Sequence, residues 1–416
     1  MQNPAPQTAS KDRPAISQRS SCYRHITKFT KESIAVKLVI FISIIAAASE
    51  YINSFETVDE KIRAGLLALN VIGLFLAFAV LPEIKLGPWA IQLFFKIVQS
   101  AVFVYFVNLV FVIMFDSEMT RYWLSAIDPE LSFPLAEHDY AADCRVYTPE
   151  NPDSRFANIK DNVDMFVSAH LFGWLVKSLI FRNNALCWTM SIGFEFYEMA
   201  FRHWLPNFTE CWWDTWVLDV FGCNLAGILL GNYIQTKFNM EKFHWFFDPL
   251  DDTKDQPAWK RLWFALTNTE AYTTRGKWNF LASPSKFLTV LFAVWQCSLV
   301  DLSYFFNKAQ LDIPSTHTIL ALRTIPIGFY SIVVIFQLYH HARDTAPDKR
   351  VPFDLALAQF IQIAELILFA KNFKPEFYAA SSPSFFKALW MLLGAVLFAG
   401  FSYSCYNHKK TAAKKF

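Results

Sequence analysis

Ten long apolar stretches divide the chain, near residues 36–55, 63–81, 89–115, 164–181, 184–201, 213–235, 286–307, 317–339, 353–371 and 384–406. Each is close to the roughly 17–25 residues a helix needs to cross a bilayer. In hydrocarbon every backbone N–H and C=O must be paired within the protein, so stretches of this kind become helices. The fold class expected is an all-α polytopic membrane protein with about ten transmembrane helices. Composition agrees. Charged residues make up 18% of the chain, against about a quarter in soluble domains, and there are 43 phenylalanines and 14 tryptophans. A net charge of +2 says little about partners.

Orientation follows from the lysines and arginines, which collect on the cytosolic side. Residues 1–34 are polar and basic and lack the apolar region of a cleaved signal peptide, so they are expected to form a disordered cytosolic tail. Residues 407–416 are a second basic tail, which places both termini in the cytosol and requires an even number of spans. The catalytic membrane domain is then 35–406, with a basic cytosolic loop at 236–285 and a lumenal loop at 116–163 richer in Asp and Glu than in Lys and Arg. The seven cysteines are single and show no CxxC spacing, so neither a zinc site nor a disulfide framework is read from them. A Cys144–Cys211 bridge is an open alternative. Arg182 is expected in the cytosol, chiefly as an orientation signal.

On this topology the turn "LPNFTECWWDTWVLD" (205–219) lies at the lumenal edge of the fifth and sixth spans. Glu195, Glu198, Asn207, Glu210, Asp214, Asp219 and Asn224 all fall in or beside it. Glu195 and Glu198 sit roughly 60° apart on one helix face. Asp214, Asp219 and Asn224 follow at steps of five, roughly 140° each on an α-helix, and so cannot share one face. They either line a cavity with different neighbours or begin in an irregular helix start. A carboxylate at mid-membrane costs about 2.5–3.5 kcal/mol. One glutamate near a span end is readily explained by water or a distant lysine. Five acids together, with Arg202 as the nearby arginine, call for a cation, and a hard divalent ion such as Ca²⁺ takes six to eight oxygens. His170 lies at similar depth in the fourth span. With an ordinary pKa of about 6.5 it can exchange protons near neutrality, although a lone intramembrane histidine more often only packs. "GILLG" (Gly227 to Gly231) reads as a close-packing pattern. The Asn207-Phe208-Thr209 sequon lies too close to the bilayer for modification to be expected. Glu50, Asp301 and Glu365 are further intramembrane acids that line a lipid path or make helix contacts.

The blocks "AHLFGWLVKSLIFRNNALCWTMSIGFEFYEMAF" and "LPNFTECWWDTWVLDVFGCNLAGILLG" resemble the eukaryotic base-exchange phosphatidylserine synthases, the LPNFxECWWDxxxxD…CN pattern most specifically. Weaker likeness, including "RYWLSAIDPEL" and "VWQCSLVDLSYFFNK", extends over about residues 36–405. The resemblance implies a multi-pass endoplasmic reticulum enzyme that swaps the choline or ethanolamine head group of a phospholipid for L-serine, with Ca²⁺ and without a nucleotide. It implies functional roles for the positions already singled out. His170 and Asp219 are expected to be catalytic, His170 moving the serine hydroxyl proton and Asp219 meeting the serine ammonium. Asn207 and Asn224 are expected to bind substrate, and Glu195, Glu198, Glu210 and Asp214 the metal. Direct transfer and a phosphatidyl-histidine intermediate both stay open. The expected partners are the phospholipid, L-serine and a second copy in a homodimer, with no nucleic acid. Leu225 and Ala226 stand where relatives can have glycines, and "AAKKF" does not place its lysines as a dilysine retrieval signal. The competing readings are a CDP-alcohol phosphotransferase-like enzyme, whose DGxxAR pattern is absent, and a cation-coupled transporter, for which no inverted repeat is seen.

Overall fold

The computed structural model of the chain describes residues 34–133, 140–152, 154–249, 257–261, 272–273, 278–344, 350–372 and 381–413. The expected disordered tail lies outside the described residues. In chain order the helices are α1 (Ile34–Asn53), α2 (Val58–Val80), α3 (Trp89–Ile113), α4 (Ser117–Ile127), α5 (Ala157–Asn162), α6 (Met165–Phe181), α7 (Asn184–Phe201), α8 (Asp214–Lys237), α9 (Pro284–Gln310), α10 (Thr318–Arg343), α11 (Phe353–Lys371) and α12 (Ser384–Ala413). Each of the ten apolar stretches holds one of these helices, while α4 and α5 come from the 116–163 loop. Among the described residues, seven are long and apolar enough to cross a membrane: α2, α3 and α8 to α12. The apolar α6 is shorter, at 17 residues. The chain is an all-α polytopic membrane protein. β structure among the described residues is a two-residue antiparallel pairing of β1 (Asp248–Pro249) with β2 (Tyr272–Thr273).

Local chemistry sets the helix starts that matter here. Asp164 caps α6 by accepting from the Phe166 N–H, and Asn183 caps α7 by accepting from the Leu186 N–H. Between them Arg182 takes a left-handed backbone, φ 47°, at the C-cap of α6. Its side chain is buried, with the guanidinium 4.7 Å from the Phe243 ring centre and 5.8 Å from that of Phe336. The expectation of a mainly orienting charge is corrected: Arg182 packs the corner that joins α6 to α7, through cation–π contacts.

Helices α3, α9, α10 and α11 share an apolar core that includes Val102, Ala293, Val333 and Ile361. Helix α6 rests on α10 and α8, and so ties the acidic helices to that core. Two of the intramembrane acids make helix contacts. Glu365 of α11 meets Arg323 of α10 at 2.9 Å and also accepts from Ser303 and Tyr105, each at 2.6 Å. Asp301 of α9 meets Lys177 of α6 at 2.8 Å. Such pairing is what makes an intramembrane charge tolerable. Glu50 is exposed.

The "GILLG" glycines set the α6–α8 distance. A Cβ on Gly227 would sit 2.4 Å from the Leu171 carbonyl oxygen, and one on Gly231 would sit 2.5 Å from the Ser178 Cβ. The first obstacle is backbone, so a side chain forces the helices apart, a strain of about 1–3 kcal/mol. We expect Gly227→Ala to lower the thermal unfolding midpoint of the solubilised protein by several degrees. Gly394→Ala, on a face of α12 where a Cβ would meet nothing within 4 Å, should leave it unchanged.

Candidate active site

Helix α8 does not start as an α-helix. Residues Asp214–Asn224 wind as a π-helix and only Leu225–Lys237 is α-helical. A π-helix closes its hydrogen bonds from i to i+5, so residues five apart come nearly one above the other. Asp214, Asp219 and Asn224 therefore share a buried face. Of the two arrangements left open by the sequence, different faces of an α-helix or an irregular helix start, the second is the one found. Gly222 lies inside this segment, where a Cβ would be 3.1 Å from the Val217 carbonyl oxygen five residues earlier.

This face meets α7. Glu195 is fully buried and Glu198 nearly so. One carboxylate oxygen each from Glu195, Glu210 and Asp219 lie within 4.8 Å of one another. Both oxygens of Glu195 and Oε2 of Glu198 lack any hydrogen-bond partner. Among the described residues, no lysine or arginine pairs with Glu195, Glu198, Glu210, Asp214 or Asp219. Buried carboxylate oxygens without donors are costly and must be met by a cation or by protons. Three carboxylates at this spacing suit a hard, oxygen-seeking cation. Asp214 stands slightly apart, accepting from Asn162 Nδ2 at 2.9 Å.

His170 approaches the cluster from α6. Its Nδ1 lies 3.2 Å from Asn224 Oδ1 and 3.6 Å from Asp219 Oδ1. Asn224 Nδ2 donates to Ser191 Oγ at 3.0 Å, so its Oδ1 is the end that faces the imidazole and can only accept. The proton of a neutral His170 is thereby placed on Nδ1, leaving Nε2 as the free base. Asn224, expected at the substrate, contacts His170 through this bond and so orients the ring. Asn207 is buried on the wall of the cavity.

That cavity reaches His170, Glu198, Glu210, Asp214 and Asp219. Its other wall comes from residues the sequence reading passed over: Tyr140, Asn162, Asp164, Phe166 and Phe305. The Tyr140 hydroxyl donates to Asp164 Oδ2 at 2.6 Å. Burial first, then that bond to Asp164, holds the Tyr140 phenol above its ordinary range, so it remains a donor. The open disulfide alternative is realised: Cys144 and Cys211 are bridged, with Cα atoms 5.2 Å apart. The bridge ties the 140s loop to the turn that carries Glu210, and Trp213 Nε1 donates to the Cys144 carbonyl at 3.2 Å.

A polytopic helical protein with a histidine and a carboxylate cluster around an intramembrane cavity belongs, by class, with the enzymes that work on polar groups at the bilayer boundary. The chain is a member of the phosphatidyl serine synthase family, whose sequence profile matches residues 91–373, from α3 through α11. Every site residue named above falls inside that range. The chain is 32% identical to an Arabidopsis thaliana CDP-diacylglycerol–serine O-phosphatidyltransferase 1 over 344 residues, 82% of this chain and 79% of the relative. It is 32% identical to human phosphatidylserine synthase 2 over 304 residues, 71% of this chain and 59% of the relative. It is 33% identical to zebrafish phosphatidylserine synthase 1 over 297 residues, 69% and 60% of the two chains. The chain is therefore a phosphatidylserine-forming membrane transferase, with phospholipid and serine as its substrates.

Proposed function

We propose that the chain makes phosphatidylserine by exchanging L-serine for the choline or ethanolamine head group of a phospholipid, with Ca²⁺, at a lumen-facing site in the endoplasmic reticulum membrane. One observation carries this reading: the partnerless carboxylate oxygens of Glu195 and Glu198 on α7 lie in a cluster with Asp219, which adjoins a histidine whose free nitrogen is fixed by Asn224. Serine Oγ forms a bond to the phosphorus, and the bond from phosphorus to the head-group oxygen breaks. His170 Nε2 takes the serine hydroxyl proton and returns it to the departing oxygen. One phosphodiester replaces another, so no energy source is needed. Glu195, Glu210 and Asp219, with Glu198 and Asp214 beside them, would hold the Ca²⁺. When bound, the ion neutralises phosphate charge and acts as a Lewis acid. Asp219, which the sequence reading assigned to serine, fits the metal set by its spacing from Glu195 and Glu210.

The lumenal assignment draws support from the Cys144–Cys211 bridge, because disulfides persist in oxidising compartments. It agrees with the basic tails and the basic 236–285 loop, which belong on the cytosolic side with both termini. A second reading has its own support. The Arabidopsis relative bears the name of an enzyme that takes CDP-diacylglycerol as donor. The same attack by serine would then release CMP. The chain contains no Asp-Gly dipeptide, the start of the usual CDP-alcohol pattern, which favours exchange. Purified protein given phosphatidylcholine or phosphatidylethanolamine, labelled serine and Ca²⁺ without CTP should form labelled phosphatidylserine and release free head group. Chelation should stop it. Labelled lipid formed only with CDP-diacylglycerol would refute exchange.

A further inference from the structure

The clustered carboxylates are not equally placed. Glu195, Glu210 and Asp219 each bring an oxygen within 4.8 Å of the others, and Asp214 does not join them at that spacing. Asp214 opens the π-helical segment, so it stands one winding before Asp219 on the same buried face. A hard cation takes six to eight oxygens, and one from each of three carboxylates leaves most of that shell to fill. Asp214 adds a further oxygen only if its carboxylate is held in the right direction.

What holds it is an amide from outside the acidic helices. Asn162 is the last residue of α5, and its side chain is buried. Its Nδ2 donates to Asp214 Oδ2 at 2.9 Å and to the Tyr140 carbonyl at 3.2 Å. Both amide protons are thereby used, which fixes the plane of the amide. With Asp214 Oδ2 engaged, Oδ1 is the oxygen left for a cation. The support closes on itself. Tyr140 lies four residues before Cys144, which is bridged to Cys211, three residues before Asp214. The Asn162 carbonyl accepts from the Asp164 N–H at 3.0 Å, at the cap of α6. The backbone of Asn162 is thus tied to the helix that carries His170 and its side chain to the disulfide loop. That frame keeps the donor aimed at Asp214.

We propose that Asn162 is a positioning residue of the cation site, acting through Asp214 by setting the direction from which Oδ1 meets the ion. This rests on the reading of the carboxylate cluster as a Ca²⁺ site. Groups that orient a metal-binding carboxylate are worth about 10–100-fold in metal affinity. The same bond also offsets the burial of Asp214 when no ion is bound, so a loss of stability alone does not identify the role.

The test measures Ca²⁺ affinity of the full chain in nanodiscs, by equilibrium binding of radiolabelled Ca²⁺ and by the Ca²⁺-dependent rise in unfolding temperature, alongside serine exchange. Asn162→Ala and Asn162→Leu both remove the donor, and the second keeps the volume. Each should raise the Ca²⁺ dissociation constant about 10–100-fold, with exchange returning close to the parent rate once Ca²⁺ saturates. In an Asp214→Asn background the same changes should cost no further Ca²⁺ affinity, because the group they act through is already altered. A residue that only packs would lower the unfolding temperature equally with and without Ca²⁺ and leave the dissociation constant at the parent value. That result would overturn the proposal, as would a full additional loss in the Asp214→Asn background. Failure of the underlying reading looks different: the parent itself would bind no Ca²⁺, and the role of Asn162 would fall with the site.

Discussion

His170→Ala should remove serine incorporation almost completely, by about 10²–10⁴-fold if the histidine acts in acid–base transfer. The protein should still reach the membrane and elute as a single species, because the half-buried ring makes one hydrogen bond and one longer contact. The size of the loss follows from what the imidazole offers. With Asn224 Oδ1 fixed as an acceptor by the bond from its Nδ2 to Ser191, Nε2 is a base of defined direction. Neither an alanine nor a bound water reproduces it, since a water at that place would not be held against Asn224 in the same orientation. The carboxylates cannot substitute, because they are the groups proposed to hold the cation. Full activity in His170→Ala would dispose of the acid–base role. Covalent and direct transfer are told apart by donor lipid carrying ³²P. Label trapped on the parent protein and lost in His170→Ala identifies a phosphatidyl-histidine, while exchange that leaves no label on the protein identifies direct transfer.

The helices were legible because lipid removes alternatives. A stretch such as Trp89–Ile113 has no water to satisfy its backbone and must be helical, so hydropathy reads directly as structure. The acidic cluster was legible for a related reason, since carboxylates at that depth are too costly to be incidental. What hydropathy does not carry is winding. The five-residue spacing of Asp214, Asp219 and Asn224 makes one face only if Asp214–Asn224 is a π-helix, and that choice belongs to packing against α6 and α7. Nor does it carry partnership. Lys177 and Asp301 look like two stray intramembrane charges until α6 and α9 are side by side. Asp164 and Asn162 lay at the edge of a loop read only for its net charge, yet one caps α6 and the other holds Asp214. Ser191 is an ordinary helix serine in the sequence and becomes the end of the chain that orients His170.

Glu195→Gln should do two opposite things, and the opposition identifies the cluster as a cation site. Without Ca²⁺ the variant should unfold at a higher temperature than the parent. Glu195 is fully buried, both its oxygens lack donors, and oxygens of Glu210 and Asp219 lie within 4.8 Å. Replacing it with an isosteric amide removes mutual repulsion and a desolvated charge, each costing of order 1 kcal/mol or more. With Ca²⁺ the order should reverse. A ligand that binds only the folded protein adds about 2.7 kcal/mol at a hundred times its dissociation constant, and the parent should gain this while the variant gains little. Serine exchange should fall with the lost affinity and recover in part at high Ca²⁺. A carboxylate kept only for packing would give the first effect without the second. One that merely faced water would give neither. Thermal unfolding curves of parent and variant that stay parallel from chelator to millimolar Ca²⁺ would remove the metal from this site.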